Sequence, residues 1–170
     1  RFLQAASARL RFAPGCEITL ETNPGTAEHG RFEDYRRAGV NRLSFGIQSF
    51  DDGCLRRLGR IHDSAQAEAA VKLAQDAGFD NLNLDLMYAL PEQTLAMAER
   101  DLERAFILQP THISHYQLTL EPNTVFAARP PGDRVGQRLE VDRGAQLVLQ
   151  PVSGDLELHR ADCGQHRCLV

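Results

Sequence analysis

The sequence predicts an α/β fold built on a parallel sheet. Three observations predict it. Strand-like and helix-like stretches alternate along the chain, glycine turns separate them, and a weak internal repeat aligns the strand starts. Strands that alternate with helices pair in parallel through right-handed crossovers.

Each element follows from local chemistry. Glu17-Ile18-Thr19-Leu20-Glu21 alternates polar and apolar residues, and Asn23-Pro24-Gly25 stops it. Residues 27–38 read as a helix closed by Gly39, which suits the left-handed position after a helix. Residues 42–48 alternate again. Asp63-Ser64 can cap a helix over 65–77, closed by Gly78. Residues 81–88 form a third strand. Leu95, Ala98, Leu102 and Phe106 recur at helical spacing, and Pro110 ends that helix. Residues 112–120 read as a fourth strand.

In the repeat, Ala38-Gly39-Val40-Asn41-Arg42-Leu43-Ser44-Phe45 aligns with Ala77-Gly78-Phe79-Asp80-Asn81-Leu82-Asn83-Leu84, and Thr111-His112-Ile113-Ser114 repeats the strand part. Ser44, Asn83 and Ser114 become equivalent, followed by Gly46, Asp85 and Tyr116. Strand side chains alternate between faces. Leu43, Phe45 and Ile47 share one face, as do Leu82, Leu84 and Leu86. The opposite face carries Thr19 and Glu21, then Ser44, Gly46 and Gln48, then Asn83 and Asp85. Strands buried on both faces would be nearly all apolar. Two architectures fit a single oily face: a full or partial barrel with a wet interior, or a two-layer sheet whose open face is solvated. Glu21, Gln48 and Asp85 fall at successive C-terminal strand ends, where barrels of this type place their sites. That clustering favours the barrel.

The chain has 170 residues, a net charge of −4 and 42% hydrophobic residues, enough for one domain or part of a larger one. Mild acidity argues against nucleic acid as a partner. No apolar run approaches the roughly 20 residues needed to cross a bilayer. Arg1-Phe2-Leu3-Gln4 has neither an initiator Met nor a signal-peptide core, which suggests a cut cytoplasmic chain. Cys16, Cys54, Cys163 and Cys168 suggest no disulfide framework.

Several motifs resemble one family. The segments are Glu17 to Gly25, Gly39 to Phe50, Leu58-Gly59-Arg60-Ile61-His62, and Asn83 to Gln93. They are similar to radical SAM proteins related to oxygen-independent coproporphyrinogen III oxidase. Tyr116 to Thr124 resembles the haem-chaperone branch of that family. The resemblance implies a partial (βα) barrel of the radical SAM type, of which this chain holds roughly strands three to six of six. It implies S-adenosylmethionine (SAM) as cofactor and, in the intact parent only, a [4Fe–4S] cluster. It assigns SAM contacts to Glu21, Gln48, Arg60, Asp85, Tyr116 and Thr119. The residue types suit this ligand. A guanidinium pairs with a carboxylate through a planar fork, so Arg60 is expected at the methionyl carboxylate. Carboxylates accept from ribose hydroxyls or the ammonium, so Glu21 and Asp85 are expected at either. Tyr116 offers a ring face for stacking.

The resemblance further implies a role in haem delivery or tetrapyrrole metabolism. Haem or a porphyrin is then a partner, along with membrane-associated haem acceptor proteins. Coproporphyrinogen oxidation and a non-enzymatic haem-binding module stand as alternatives. His62 is the candidate haem ligand, since His112 and His115 lie three apart on a strand and point to opposite faces.

The sequence departs from the family at both ends. No C-x3-C-x2-C motif exists, so no cluster is expected on this chain and radical activity is expected to be absent. Cys163 and Cys168, with His159 and His166, match neither the cluster motif nor a usual zinc pair. Residues 1–131 read as the barrel fragment, and 132–170 as an unrecognised tail, non-native or disordered. A fragment with an open strand edge is expected to oligomerise.

Overall fold

A computed structural model describes residues 2–25, 31–119, 122–123 and 128, together with the backbone of 146–152 and 155–161. Four parallel strands run in sequential order: β1 (Thr19–Thr22), β2 (Arg42–Gln48), β3 (Leu82–Tyr88) and β4 (His112–Gln117). The helices are α1 (Phe2–Ser7), α2 (Phe32–Arg37), α3 (Asp52–Arg57), α4 (Ser64–Asp76) and α5 (Leu95–Ile107). Strands β5 (Gln146–Val152) and β6 (Asp155–Ala161) extend the sheet antiparallel beyond β4. The parallel α/β sheet predicted from the sequence is present. The rest of the tail segment, including Cys163, His166 and Cys168, lies outside the described residues, as does the start of the helix expected over 27–38.

The helix ends are built as the glycines require. Gly39 and Gly78 take positive φ angles of 104° and 84°. The next amide reaches back into each helix, Val40 N–H to the Tyr35 carbonyl and Phe79 N–H to the Ala74 carbonyl. Asp63 caps α4 by accepting from Gln66 N–H at 2.8 Å, and the Gln66 side chain returns the bond to Asp63 N–H at 3.0 Å. Thr94 caps α5 in the same position.

The oily face is the core. Leu43, Phe45, Ile47, Leu84 and Leu86 are fully buried against Ala67, Ala70, Val71 and Ala74 of α4. Small residues on α4 let the helix lie close to the branched strand residues. On α5 the buried face is Ala98, Asp101 and Ala105, while Leu95 and Phe106 are exposed. The apolar stripe expected through Leu95 and Phe106 is therefore rotated, and a carboxylate occupies the core side.

Pairing between β2 and β3 matches the repeat, with Ser44 opposite Asn83 and Gly46 opposite Asp85. Between β3 and β4 it slides by two residues: Asp85 faces Ser114 and Met87 faces Tyr116. Parallel strands in barrels are staggered. A slide of two keeps every side chain on its own face.

His115 lies on the core face, edge-to-face with Tyr88 at 4.8 Å between ring centroids. Its Nε2 meets no hydrogen-bond partner among the described residues. Burial pulls its pKa down from 6.5 to about 4. A histidine held neutral in the folded chain and free to protonate when unfolded destabilises the fold as pH falls. The loss begins near 6.5 and is complete near 4. Urea unfolding should therefore show up to about 3 kcal/mol lost across this window. His115→Leu should flatten that slope, and an unchanged slope would show that His115 titrates freely.

Candidate functional site

The polar face begins as a cross-strand network. Asn83 on β3 is buried and donates to Ser44 Oγ on β2 at 2.8 Å and to Asp85 Oδ1 at 2.9 Å. Ser114 on β4 donates to Asn83 Oδ1 at 3.0 Å. Ser44 donates to Asp85 Oδ2 at 2.9 Å, and the Tyr116 hydroxyl donates to Asp85 Oδ1 at 3.0 Å. A carboxylate offers about four acceptor positions. Oδ1 serves Asn83 and Tyr116, and Oδ2 serves Ser44. One position on Oδ2 is left for a donor from outside.

Arg60 stands beside this carboxylate. It follows α3 on the loop to α4 and is half-buried. Burial lowers its pKa and the Asp85 charge opposes that shift. The guanidinium stays protonated. Its Nη1 donates to Asn23 Oδ1 at 3.0 Å, which engages one of five donors. Asn23 belongs to the turn after β1. A Cβ placed on Gly46 would lie 2.9 Å from Asn23 Oδ1 and 3.1 Å from Gln48 Nε2. Glycine at this place leaves room for both side chains over β2.

Gln48 is buried and ends β2 in the left-handed region, with φ at 71°. The pairing register shifts between Gly46 and Gln48, so a bulge re-aims the strand end. Glu21 is exposed on β1, opposite Ser44. Burial raises the pKa of the Tyr116 phenol; Asp85 and, more weakly, Glu21 add to that rise. Glu21 is thus within electrostatic reach of Tyr116.

Five of the six residues predicted as contacts thus converge at the C-terminal strand ends: Glu21, Gln48, Arg60, Asp85 and Tyr116. Thr119 is exposed, two residues beyond β4. The Tyr116 hydroxyl is engaged with Asp85. Asn23 and Gly46 were not singled out as site residues. Asn23 reads in the sequence as part of a turn, whereas a glycine inside a polar strand face signals close approach.

His62 is not presented at the surface to a ligand of haem size. It is buried, and its Nε2 lies 3.1 Å from the Ile47 carbonyl, so that nitrogen carries a proton and donates. Burial also holds its pKa below the ordinary value. The described cysteines do not fit an iron–sulfur cluster either. Cys16 is exposed, whereas Cys54 is buried with its thiol pushed up to about 12, chiefly by burial and then by Asp51. Cluster ligation needs thiolates. Among the described residues, no three His, Cys, Asp or Glu side chains could share a metal ion.

Residues 1–105 match the model of the Radical SAM superfamily. The chain belongs to the radical SAM superfamily. It is similar to the Heme chaperone HemW of Escherichia coli, 55% identical over 129 residues, which is 76% of this chain and 34% of that protein. It is 39% identical to the Heme chaperone HemW of Synechocystis over 176 residues, covering 99% of this chain and 42% of that protein. At that coverage the alignment takes in most of residues 132–170. Coproporphyrinogen III oxidase (HemN) from Escherichia coli superposes with a TM-score of 0.67 at 31% identity, over 75% of this chain and 29% of that one. The chain spans about a third of the length of the E. coli and Haemophilus influenzae chaperones it matches. Radical SAM proteins use SAM with a [4Fe–4S] cluster. The polar strand ends fit the first of these, with a spare carboxylate acceptor and a guanidinium fork side by side. The described cysteines do not fit the second. Anaerobic incubation of this chain with iron and sulfide should give no stoichiometric cluster absorption, and one cluster per chain would overturn that assignment.

Proposed function

We propose that this chain forms the SAM-binding strand ends of a HemW-like radical SAM protein that acts in haem delivery. The carrying observation is the convergence of Arg60 with the open acceptor position of Asp85, ringed by Glu21, Gln48 and Tyr116. In this reading Arg60 receives the methionyl carboxylate. Asp85 and Glu21 accept from the ammonium and the ribose hydroxyls. Tyr116 keeps Asp85 aimed while its ring borders the nucleoside, and Thr119 closes the rim. The higher identity to haem chaperones than to the oxidase supports haem, not coproporphyrinogen, as the tetrapyrrole partner. Haem-accepting membrane proteins are the recipients in this scheme, and the chain works in the cytoplasm. No helix among the described residues is long and apolar enough to cross a membrane.

Equilibrium dialysis with labelled SAM tests the site. A charge-assisted hydrogen bond contributes roughly 1.5–3 kcal/mol, so Arg60→Ala should weaken SAM by roughly ten- to a hundredfold. Arg60→Lys should recover only part, because an ammonium cannot form the fork. Lys72→Ala, on the exposed side of α4, should bind as the parent does. Parental affinity in Arg60→Ala would remove Arg60 from the site.

The open edge has its own consequence. Among the described residues β1 pairs on one side only, with β2. Unpaired edges recruit other chains. We expect self-association that rises with concentration in sedimentation velocity, and that Thr19→Pro, which removes an amide facing away from β2, reduces. A strictly monomeric chain would exclude pairing through this edge.

A further inference from the structure

The strongest unexplained group is a buried carboxylate on the outer helix layer. Asp101 of α5 is 2% exposed. None of its hydrogen bonds goes to Glu21, Gln48, Arg60, Asp85 or Tyr116. Burying a carboxylate is costly unless donors compensate it. Its donors all come from the chain around the site. Ser49 Oγ donates to Oδ2 at 2.7 Å, and the Phe50 amide donates to Oδ1 at 2.7 Å. Gln93 Nε2 donates to Oδ2 at 3.3 Å. Burial raises the Asp101 pKa, and the bonds from Ser49 and Phe50 oppose that rise.

Ser49 and Phe50 directly follow Gln48. One turn of helix further on, Arg104 donates to the Phe50 carbonyl at 2.6 Å and sits over the Phe50 ring at 5.0 Å from its centroid. Arg104 is itself held by Glu68 of α4. On the other side of Gln48, the Ile47 carbonyl accepts from His62. The chain is therefore gripped immediately before and immediately after one residue. That residue has a φ of 71°. A left-handed conformation costs a non-glycine residue about 1–2 kcal/mol, and such residues persist only where their surroundings over-determine them.

We propose that Asp101 is a positioning residue for the SAM site: by gripping Ser49 and Phe50 it holds Gln48 in its left-handed conformation, so that the Gln48 amide lies over Gly46 on the polar face. His62 is the matching anchor on the upstream side. The proposal rests on the SAM reading of these strand ends for its function, and on the backbone geometry alone for its mechanism. A buried acid in the helix layer thus sets the aim of a side chain that it does not touch.

Two measurements separate these parts. The first compares Gln48→Gly with Gln48→Ala by urea unfolding. With Asp101 in place, residue 48 is kept left-handed, and glycine should favour folding over alanine about three- to tenfold. In an Asp101→Asn background residue 48 is free to relax, and the gap should shrink below about twofold. Ser49→Ala, which removes one donor and leaves the carboxylate, should shrink it in part and serves if Asp101→Asn does not fold. An unchanged gap in the folding backgrounds overturns the proposal. The second measurement is SAM dialysis. Gln48→Ala and Asp101→Asn should each weaken binding, and the double variant should bind no worse than the weaker single one. Multiplying penalties would show that Asp101 acts independently of Gln48 and would overturn the proposal. If Arg60→Ala and Gln48→Ala both keep parental affinity, the SAM reading fails, while the glycine–alanine gap still judges the grip of Asp101.

Discussion

The structure depends on keeping the polar face of the sheet satisfied by its own side chains. One face of the parallel strands is oily and covered by helices. The other carries Ser44, Asn83, Asp85, Ser114 and Tyr116. Asn83 is 2% exposed and Ser44 is 6% exposed, so neither can rely on water. A buried amide or hydroxyl without a partner costs about 1–3 kcal/mol. The network Ser114–Asn83–Ser44–Asp85–Tyr116 meets that demand by joining β2, β3 and β4 side to side. It works only in the observed register. A slip of one residue would put leucines on this face and amides in the core. The network that satisfies the polar groups therefore also enforces the register.

Much of this was legible because it is periodic. Leucine, phenylalanine and isoleucine at every second position announced the core face. Gly39 and Gly78 announced the helix ends, since only a residue tolerant of positive φ closes them cheaply. Less periodic features were harder to read. Helices α1 and α3 have six residues each, under two turns, too short for a repeat of apolar positions to declare itself. The third crossover turns at Gln109, with φ of 51°, where the first two use glycine. The slide between β3 and β4 arises from stagger between strands, which no single strand encodes.

The site was legible in part for a different reason. Glu21, Gln48 and Asp85 stood out as polar residues at strand ends, and the family motifs added Arg60 and Tyr116. Asn23 reads as turn punctuation, and Gly46 as one position of the polar face without a side chain of its own. The apolar spacing Leu95, Ala98, Leu102 and Phe106 runs beside Asp101 and hides it. A stripe through Ala98 and Ala105 passes through Asp101 at helical spacing. A charge within a core stripe is among the more informative features a sequence can offer, since Asp is almost never fully buried unless paired.

The two ends of the strands handle charge in opposite ways. At the N-terminal ends the polar groups answer one another. Arg42 lies near Glu17 at 3.9 Å, Asn81 donates to Glu17 at 3.2 Å, and Thr111 donates to Asn81 at 3.1 Å and lies 3.1 Å from the His112 ring. That end is closed by its own side chains. At the C-terminal ends the matching is incomplete. Asp85 keeps an acceptor position open, and Arg60 spends one donor on Asn23. Gln48 is held in a backbone conformation that it would not choose in isolation. Folding alone favours the first arrangement, because unanswered donors and strained torsions only subtract from stability. In the proposed function that end is completed by SAM, whose carboxylate answers the guanidinium and whose hydroxyls or ammonium answer the carboxylate.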